Sequence, residues 1–587
     1  MLTSIIILTY NNLEYTKQCL ESIRKNTEPN TYELIIIDNN SVDGTKDWLL
    51  KQDDIRVILN KENLGFPRGC NQGIEIAKGN NILLLNNDVI VTENWLCNLV
   101  QSLYSSEKVG AVGPVTNSAA YHTAIPVEYS NLYEMHNFAK GFNKSNSEKW
   151  EERLKLIGYC MLIKKDVIDK IGLLDEMFTP GNFEDDDYSV RIRKAGYKLL
   201  LCKDTFIHHY GSVSWRENVA WYGELLSENE KKFMKKWGTN SHSYNIHNDL
   251  VDRIPFEKDR QIDVLHIGCG AGGTLLKIND SFRKSSLYGI EQNKNAATEA
   301  SIFVTVFHDP VEEVIKEFGV KKFDVIIITD WSHITNLQTS MLSVKSLLKD
   351  DGILLSSVIN ANHISLINEL MLGRNPFLEN KYMTLLDINK LFKGEAGFKL
   401  YVESMTSNLS DEEKKIIELY CSLTKEDMRI QYETYKYLIT AQKYDEHLEN
   451  SILNIINDID VEKTLIELEQ YSEHEIIECI TNRFENKIQI LHTFAILNFG
   501  NNNHENVLSY LHKAFDIDPN NPDTLYNLGV ILYSYNEKEL AKRYLDCLEV
   551  EDKDDEVEKI LAEINFEEEK RKQILVYLLR RIEHDIE

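Results

Sequence analysis

Long apolar runs are missing from this 587-residue sequence. Its most apolar stretches, such as Ile5–Leu8 and Ile82–Leu85, have the length of strands, and none approaches the roughly 18 residues of a membrane helix. The chain enters a strand at once, with neither a basic region nor a cleavage site, so we expect no signal peptide. The nine cysteines are scattered and form no C-x-x-C pair, which favours reduced thiols in a cytoplasmic protein.

Positive charge is also scarce, since the net charge is −28. The acidic excess is heaviest near the C-terminus, in KDDEVEKILAEINFEEE. A protein that binds nucleic acid needs a basic surface for the phosphates, so we expect no nucleic-acid partner. The acidic residues are expected to form a solvated surface.

The chain does contain three segments of different pattern. In residues 1–240, strands such as SIIILTY, ELIIID and NILLLNN alternate with helical stretches, which predicts a mostly parallel α/β sheet covered by helices. Residues 241–260 are polar and are predicted to be a linker, and residues 261–405 resume the strand–helix alternation. Residues 406–587 are rich in helix formers and poor in glycine and proline, which predicts an all-α domain.

A repeat of 34 residues lies inside the predicted helical domain, at about residues 488–555. Small and apolar residues recur at this period: Ala495, Val507, Leu511 and Ala514 return as Gly529, Ala541, Leu545 and Leu548. This is the period of tetratricopeptide (TPR) repeats, and these are its packing positions. Two such repeats are too few to stand alone, so flanking helices are expected to cap them.

Polar residues follow three of the predicted strands in the first segment. They are Thr9-Tyr10-Asn11, Asp38-Asn39-Asn40 and Asn86-Asn87-Asp88. Ligands of open α/β sheets bind in the crevice outside the carboxyl ends of the strands, so these residues predict one binding site. Any one of the three taken alone also fits an ordinary turn.

Several motifs in the first segment resemble those of the family 2 glycosyltransferases, which have a GT-A fold. They are SIIILTYNN, IIIDNNSVDGT, NKENLGFPRGCNQG, LLLNNDV, GNFEDDDYSVRIRKAGYK and HHYGSVS, in the family's order over most of residues 1–238. The resemblance implies a Rossmann-like nucleotide-sugar domain. It also implies a transferase that moves a sugar, with inversion, from a UDP- or dTDP-sugar to a protein or glycan acceptor.

The same resemblance implies which residues contact the nucleotide sugar. They are Thr9, Tyr10, Asn11, Asp38, Asn40, Asn63, Gly65, Asn71, Asn86 and Asn87. Asp38 is expected to accept a hydrogen bond from the pyrimidine, although an aspartate here also fits a turn or helix cap. Gly65 and Gly69 are expected to let the backbone come close to the ligand.

Asn86-Asn87-Asp88 stands where the family carries its D-x-D metal motif, with Asn86 in place of the first aspartate. Asp88 and His209 are the implied ligands of a divalent metal ion, Mn²⁺ or Mg²⁺, which neutralises the diphosphate as it leaves. An imidazole ligand favours Mn²⁺. The alternative for His209 is a histidine that only ends a strand.

Four consecutive carboxylates, Glu184 to Asp187, match the motif that holds the family's catalytic base. An inverting transfer needs a carboxylate to take the proton of the acceptor hydroxyl. We assign this role to Asp185, with Glu184 helping to hold the acceptor, and expect Asp187 to pair with Arg191 or Arg193. The alternative is a solvated helix start, where acidic residues are common.

The second segment resembles the class I S-adenosylmethionine-dependent methyltransferases, a second Rossmann-like fold. VLHIGCGAGG places glycines between a strand and a helix, and acidic residues end the next two strands. The implied S-adenosylmethionine contacts are Gly268, Gly270, Gly272, Glu291 and Asp309. The glycine spacing departs from the dinucleotide fingerprint that NAD binding needs. A domain of this type that serves only as a scaffold is the stronger alternative, because His266 replaces a usual acidic residue and no catalytic base beyond the candidates His333 and His363 is evident.

Together the segments predict a multidomain, bifunctional enzyme. The first domain is expected to build a flagellin or surface glycan, the second to methylate it, and the TPR-like region to dock the acceptor. The main alternative is a rhamnosyl- or other deoxysugar transferase of lipid-linked polysaccharide synthesis whose second domain is a non-catalytic scaffold. A protein that binds these ligands without turnover is the alternative outside the enzymes.

Overall fold

The computed structural model describes residues 1–211, 219–377, 381–424, 427–500 and 504–584. The chain divides into two compact units, the first of Met1–Asp387 with Tyr401–Ala441 and the second of Ile388–Leu400 with Gln442–Glu587. The last three residues of the HHYGSVS motif, Ser212 to Ser214, lie outside the described residues.

The first domain is built on a sheet with the strand order β3-β2-β1-β4-β8-β6-β9-β7. Its strands are β1 (Thr3–Thr9), β2 (Tyr32–Asp38), β3 (Ile55–Leu59), β4 (Asn81–Asn86), β5 (Val89–Ile90), β6 (Val109–Val115), β7 (Trp150–Arg153), β8 (Cys160–Lys164), β9 (Lys198–Phe206) and β10 (His208–His209). The first four strands of the chain pair in parallel, as expected. The rest of the sheet is mixed, because β8 runs antiparallel to β4 and β6, and β7 runs antiparallel to β9.

Helices cover both faces of this sheet, which explains its continuous apolar strands. The helices of this domain are α1 (Leu13–Asn26), α2 (Thr45–Leu49), α3 (Phe66–Ile76), α4 (Trp95–Leu103), α5 (Leu132–Phe142), α6 (Lys165–Ile171), α7 (Glu184–Lys194) and α8 (Val219–Trp237). Ile5 and Ile7 of β1 pack in the core under α1 and α4, whereas Ile6 packs in the core under α3 and α7. Successive side chains of β1 thus enter two cores on opposite faces of the sheet. The residues on both faces of the strand must therefore be apolar.

The second domain is a sheet with the order β13-β12-β11-β14-β15-β17-β16. Its strands are β11 (Asp263–Ile267), β12 (Ser286–Ile290), β13 (Thr305–Phe307), β14 (Phe323–Ile328), β15 (Leu348–Ile359), β16 (Lys399–Thr406) and β17 (Thr434–Gln442). Its helices are α9 (Asn248–Val251), α10 (Gly273–Ser281), α11 (Lys294–Ala300), α12 (Val311–Glu317), α13 (Leu337–Leu347), α14 (Ile364–Met371), α15 (Leu385–Asn389), α16 (Asp411–Thr424) and α17 (Arg429–Glu433). The strands β13, β12, β11, β14 and β15 are parallel neighbours.

Two sequence predictions are corrected here. The region after residue 405 is not purely helical, because TYKYLITAQ forms β17 inside the second sheet. The predicted linker is folded, with a 3₁₀ turn at Ser241–Tyr244 and α9 behind it. Tyr244 and Leu250 are buried, so the apolar residues of this polar-looking stretch hold it against its neighbours.

The remaining described helices form the predicted all-α region. They are α18 (Glu446–Ile456), α19 (Val461–Leu468), α20 (Glu473–Arg483), α21 (Lys487–Gly500), α22 (His504–Ile517), α23 (Pro522–Ser534), α24 (Lys538–Asp546) and α25 (Asp555–His584). A Cβ atom on Gly529 of α23 would lie 2.2 Å from Leu545 Cδ2 of α24, so the repeat positions are packing positions between helices. The TPR assignment itself stays a prediction. Within the described ranges, each helix is too short or too polar to traverse a bilayer.

Candidate active site

The three polar strand ends of the first domain lie side by side. In the parallel register Thr9 is opposite Asp38, and Leu8, one residue earlier, is opposite Asn86. The carboxyl ends of β1, β2 and β4 therefore meet at one edge of the sheet. This is where the sequence predicts the ligand site.

Hydrogen bonds within the protein fix the strand end after β1. Thr9 Oγ1 lies 2.9 Å from Thr16 Oγ1, and Asn87 Nδ2 donates to Thr16 Oγ1 at 3.0 Å. Asn11 Oδ1 accepts from the Val42 backbone N–H at 2.9 Å. Tyr10, by contrast, is 44 % exposed. Thr9, Asn11 and Asn87 thus shape the crevice, whereas the exposed ring of Tyr10 can contact a base.

The end of β2 has a buried carboxylate beside an exposed amide. Asp38 is fully buried and accepts the backbone N–H of Ser41 at 3.2 Å. That contact is the turn interaction expected of an aspartate here. Asn40 is exposed and has φ of 69°, a left-handed conformation that asparagine tolerates. The predicted pyrimidine contact of Asp38 and the predicted contact of Asn40 stay predictions.

The loop before α3 is tightly packed on the protein itself. Asn63 Oδ1 accepts from the Gly65 N–H at 3.0 Å. Gly65 has φ of 79°, and a Cβ atom there would lie 2.7 Å from Pro180 Cα. Asn71 bonds Leu174 with both ends of its amide, at 2.9 Å each. Gly65, at the start of α3, and Asn71, within α3, therefore join this region to residues 174–180, and the close approach at Gly65 is to protein backbone.

Asp88 and His209 come together from β-strand ends far apart in sequence. The short strands β5 and β10 pair antiparallel, and His208 and His209 face Ile90 and Val89. Asp88 Oδ1 lies 3.3 Å from His209 Nε2, and both side chains are buried. Since Asp88 directly precedes β5, the ribbon positions both predicted metal ligands.

The tautomer of His209 is fixed by a backbone carbonyl. Nδ1 lies 2.7 Å from Ser118 O, so it must carry a proton, and Nε2 of the neutral ring has its lone pair directed to the Asp88 side. Nε2 is buried and has no hydrogen-bond partner in the described part of the chain. Burial opposes a charged ring, but the Asp88 carboxylate more than offsets this and raises the pKa of His209. The pair therefore favours a positive charge between its two side chains.

This pair fits a divalent ion. Octahedral ligands at about 2.1 Å from a metal lie about 3 Å from one another, close to the 3.3 Å between Asp88 Oδ1 and His209 Nε2. No cluster of three or more metal-binding side chains occurs among the described residues. A metal here would therefore take its other ligands from water and from the diphosphate.

The predicted base, Asp185, lies in the first turn of α7. Its Oδ2 accepts the Gly158 N–H at 2.8 Å. Burial and repulsion by Asp186 raise the pKa of Asp185 to about 6, although the Gly158 N–H and the Lys155 ammonium pull it down. Asp186 itself pairs with Lys155 at 2.8 Å. Asp185 is therefore a carboxylate that ionises just below neutral pH.

Glu184 and Asp187 differ sharply in their surroundings. Burial, and then Asp185, raise the pKa of Glu184 well above its usual range, and its Oε2 is buried with no hydrogen-bond partner in the described ranges. A neutral Glu184 can hydrogen-bond an acceptor hydroxyl. Asp187 is fully buried and pairs with Arg191 at 2.9 Å, as expected, and also with Lys236.

Sequence reasoning missed the segment that joins the base to the metal pair. Gly158 holds Asp185, while the next residue, Tyr159, stacks on the His209 ring with centroids 5.1 Å apart. Asn117 Oδ1 also accepts the His209 backbone N–H at 2.9 Å. A glycine beside an aromatic residue gave no signal, because only the folded chain brings these residues to the base and the metal pair.

The glycine-rich loop of the second domain lies between β11 and α10. Gly268, Gly270 and Gly272 all have positive φ, of 74°, 55° and 90°. A Cβ atom on Gly270 would lie 2.3 Å from Ser243 O, so protein packing already requires this glycine. The 3₁₀ turn before α9 thus packs directly against the glycine-rich loop.

The acidic residues predicted to bind the cofactor have unequal surroundings. Glu291 is buried, and its two oxygens accept the N–H groups of Gly270 and Asn293 at 2.8 Å each. Each oxygen keeps a lone pair for a ribose hydroxyl, so Glu291 fits the cofactor. Asp309 is exposed. Burial lowers the pKa of His266 to about 3, and its Nε2 bonds Thr329.

Two family models match this chain. Residues 4–172 match "Glycosyl transferase family 2", and residues 240–403 match "Methyltransferase domain". The chain therefore contains a family 2 glycosyltransferase domain followed by a methyltransferase domain. Glu184, Asp185 and His209 lie beyond the first matched range, and their roles stay predictions.

Individual relatives match the first domain at low identity. Protein y4gI of Sinorhizobium fredii is 26 % identical over 230 residues, which are 36 % of this chain and 25 % of that protein. Glycosyltransferase AglE of Haloferax volcanii is 25 % identical over 230 residues, 38 % of this chain and 69 % of that protein. This chain thus spans a quarter of the length of the first relative.

Among solved structures, the mannosyltransferase PcManGT of Pyrobaculum calidifontis, in complex with GDP-Man and Mn²⁺, is similar to this chain. The match has 20 % identity and a TM-score of 0.30, and covers 40 % of this chain and 64 % of that protein.

Proposed function

We propose that the first domain is an inverting, divalent-metal-dependent glycosyltransferase that moves a sugar from a nucleotide diphosphate sugar to a protein or glycan acceptor. The observation that carries this proposal is the buried Asp88–His209 pair, 3.3 Å apart, in which the contact of Nδ1 with Ser118 O leaves Nε2 facing the Asp88 carboxylate. It lies beside the crevice where the three polar strand ends meet. Asp88 and His209 would hold the metal, which neutralises charge on the diphosphate when bound.

Asp185 performs the proton transfer in this proposal. Its carboxyl group has a pKa of about 6, so at neutral pH it is ionised and can take the proton from the acceptor hydroxyl. The Gly158 N–H holds one oxygen in place, which fixes the direction in which the carboxylate acts. Glu184, held neutral by burial, hydrogen-bonds the acceptor.

The second domain is proposed to bind S-adenosylmethionine and to methylate the glycan product. Glu291 would hold the ribose and the glycine-rich loop the methionine part, while the cofactor supplies an electrophilic methyl group. His333 Nε2 lies 3.2 Å from Asp330 Oδ2, just after β14. Burial opposes a charge on His333, but the hydrogen bond with Asp330 and the negative charges of Glu291 and Asp330 together outweigh burial and raise the pKa of His333. His333 Nε2 also lies 3.8 Å from Glu291 Oε1, so this histidine is next to the proposed ribose-binding carboxylate.

Nucleotide release from a panel of UDP-, dTDP- and GDP-sugars, with Mn²⁺ and with chelator, tests the first activity. We expect release from one donor class that chelator abolishes. Asp88→Ala should reduce the rate at least about 100-fold, since it removes the charged ligand. Asp54→Asn, which removes an exposed carboxylate paired with Arg24, is the matched control and should retain the rate.

Metal-independent release, or full activity of Asp88→Ala, would contradict the proposed site. Release only from a dTDP-deoxysugar, with no methyl transfer to the product, would favour a deoxysugar transferase with a scaffold domain. Absence of release with every donor, with and without a glycan acceptor, would leave a binding protein as the better hypothesis.

A further inference from the structure

The segment that holds the predicted base runs along the whole of α7. We call residues 154–158 the strap. Its contacts with α7 are Leu154 O with Arg193 (3.3 Å), Lys155 with Asp186 (2.8 Å), the Leu156 N–H with Ser189 Oγ (3.2 Å) and the Gly158 N–H with Asp185 (2.8 Å). The strap and α7 therefore form one antiparallel pair that ends at the base.

The far end of this pair is held by the methyltransferase domain. Arg193 donates to Glu299 of α11 at 3.1 Å, and both side chains are buried. Just before the strap, the Glu152 N–H donates to Asp280 of α10 at 2.9 Å, and Lys277 of α10 bonds Glu151 at 2.6 Å. Two helices of one domain thus hold the two elements that position the base of the other.

Glu299 has a second partner that ties it to the same region. Its Oε1 accepts from Tyr244 Oη at 2.9 Å, and Tyr244 O in turn accepts from Tyr121 Oη at 2.8 Å. Both oxygens of Glu299 are therefore used, one by α7 and one by the turn between the domains. Two partners in different directions fix the position of this carboxylate.

A buried ion pair of this kind is poorly explained by stability alone. Desolvating two charges can cost as much as their attraction returns, and an apolar pair of the same volume often stabilises a protein as well. What the Arg193–Glu299 pair adds is orientation, because a charged, hydrogen-bonded pair has one favourable geometry. Arg193 is eight residues after Asp185, about 12 Å along a rigid helix.

We propose that Glu299, in the methyltransferase domain, is a positioning residue for glycosyl transfer. Through Arg193 it sets the place of α7 and the strap, and so of Asp185. This inference rests on the proposed function of the first domain. It assigns the second domain a part in the first reaction, separate from its own chemistry.

The test is Glu299→Gln in the full chain, which keeps the volume and an acceptor for Tyr244 but removes the charge opposite Arg193. We expect kcat for transfer to fall about 10-fold or more with the donor KM changed less than about twofold, because the base is displaced while the donor site is intact. Asp324→Asn is the matched control. It removes another buried, ion-paired carboxylate of the same domain, near the start of β14.

Hydrogen exchange supplies a readout that does not depend on turnover. Amides of the strap should exchange about 10-fold faster in Glu299→Gln and be unchanged in Asp324→Asn, because an order of magnitude corresponds to the loss of one buried charge-assisted bond. The double variant Arg193→Met with Glu299→Gln should be no slower in transfer than the worse single variant, since the two residues act as a pair.

The inference is overturned if strap exchange is unaffected by Glu299→Gln, or if Asp324→Asn lowers kcat equally. A wild-type chain that turns over no donor, while its strap loosens in Glu299→Gln, would instead refute the proposed function and leave the mechanical link in place. The two failures are thus distinguishable.

Discussion

Asp185→Asn should stabilise the protein at neutral pH while it abolishes transfer. The folded protein disfavours the ionised form of this carboxyl, since burial and Asp186 raise its pKa from 3.8 to about 6. A raised acid pKa leaves the free energy of unfolding unchanged below about pH 4, and lowers it increasingly up to about pH 6. Above that pH the penalty is constant. Asparagine carries no charge, so the folded variant does not lose this stability.

The magnitude follows from the pKa rise. At about 1.4 kcal/mol for each pKa unit, the penalty is about 3 kcal/mol as an upper limit. Asp185 is partly open to solvent, which screens this penalty, so we expect a net gain of about 1–2 kcal/mol. For a domain of this size that corresponds to a rise in Tm of about 3–6 °C.

Thermal unfolding of the wild type and of Asp185→Asn at pH 7.5 and pH 4.5 measures this difference. The variant should be more stable at pH 7.5, with the gain mostly lost at pH 4.5, and its transfer rate should fall at least about 1,000-fold because no base remains. Asp54→Asn, on the surface, should show neither effect. A variant that keeps transfer, or gains equal stability at both pH values, would refute the assignment of Asp185.

Two further predictions concern Gly65, at the start of α3, and the predicted cofactor site of the second domain. Gly65→Ala should weaken donor binding about 10-fold and lower Tm, because its Cβ would lie 2.7 Å from Pro180 Cα. Gly172→Ala has a similar positive φ but no atom within 4 Å, so it should lower Tm by much less and leave donor binding unchanged. Glu291→Gln should weaken S-adenosylmethionine binding about 10-fold in calorimetry, because an NH₂ group replaces an acceptor oxygen of the ribose site. Unchanged binding would mean that Glu291 only accepts the backbone N–H groups of Gly270 and Asn293 and does not contact the cofactor.

Much of the first domain was predictable because its signals are local. Apolar runs with polar ends define β1, β2 and β4, and parallel strands necessarily bring their carboxyl ends to one edge. Gly65 and Gly69 were expected to let the backbone come close to a ligand, and the structure adds that Gly65 lies against Pro180 and Gly270 against Ser243. A glycine in a sequence indicates a close approach to its Cα atom, but the sequence does not show whether a ligand or another part of the protein makes that approach.

The prediction of helix throughout the region after residue 405 failed where local composition and tertiary pairing disagree. Thr434–Gln442 is flanked by helix formers, yet its own residues include β-branched and aromatic side chains. This segment is a strand because it is buried between neighbouring strands of the second sheet.

The amino-acid sequence by itself determined the order of the domains, the strand ends that carry polar groups, and the chemistry those groups allow. Only the tertiary structure decided which groups meet: His209 with Asp88, Gly158 with Asp185, and Glu299 with Arg193. The reason is physical, since motifs reflect backbone and side-chain preferences over a few residues. Contacts between residues 27 to 121 positions apart depend on how sheets and helices pack.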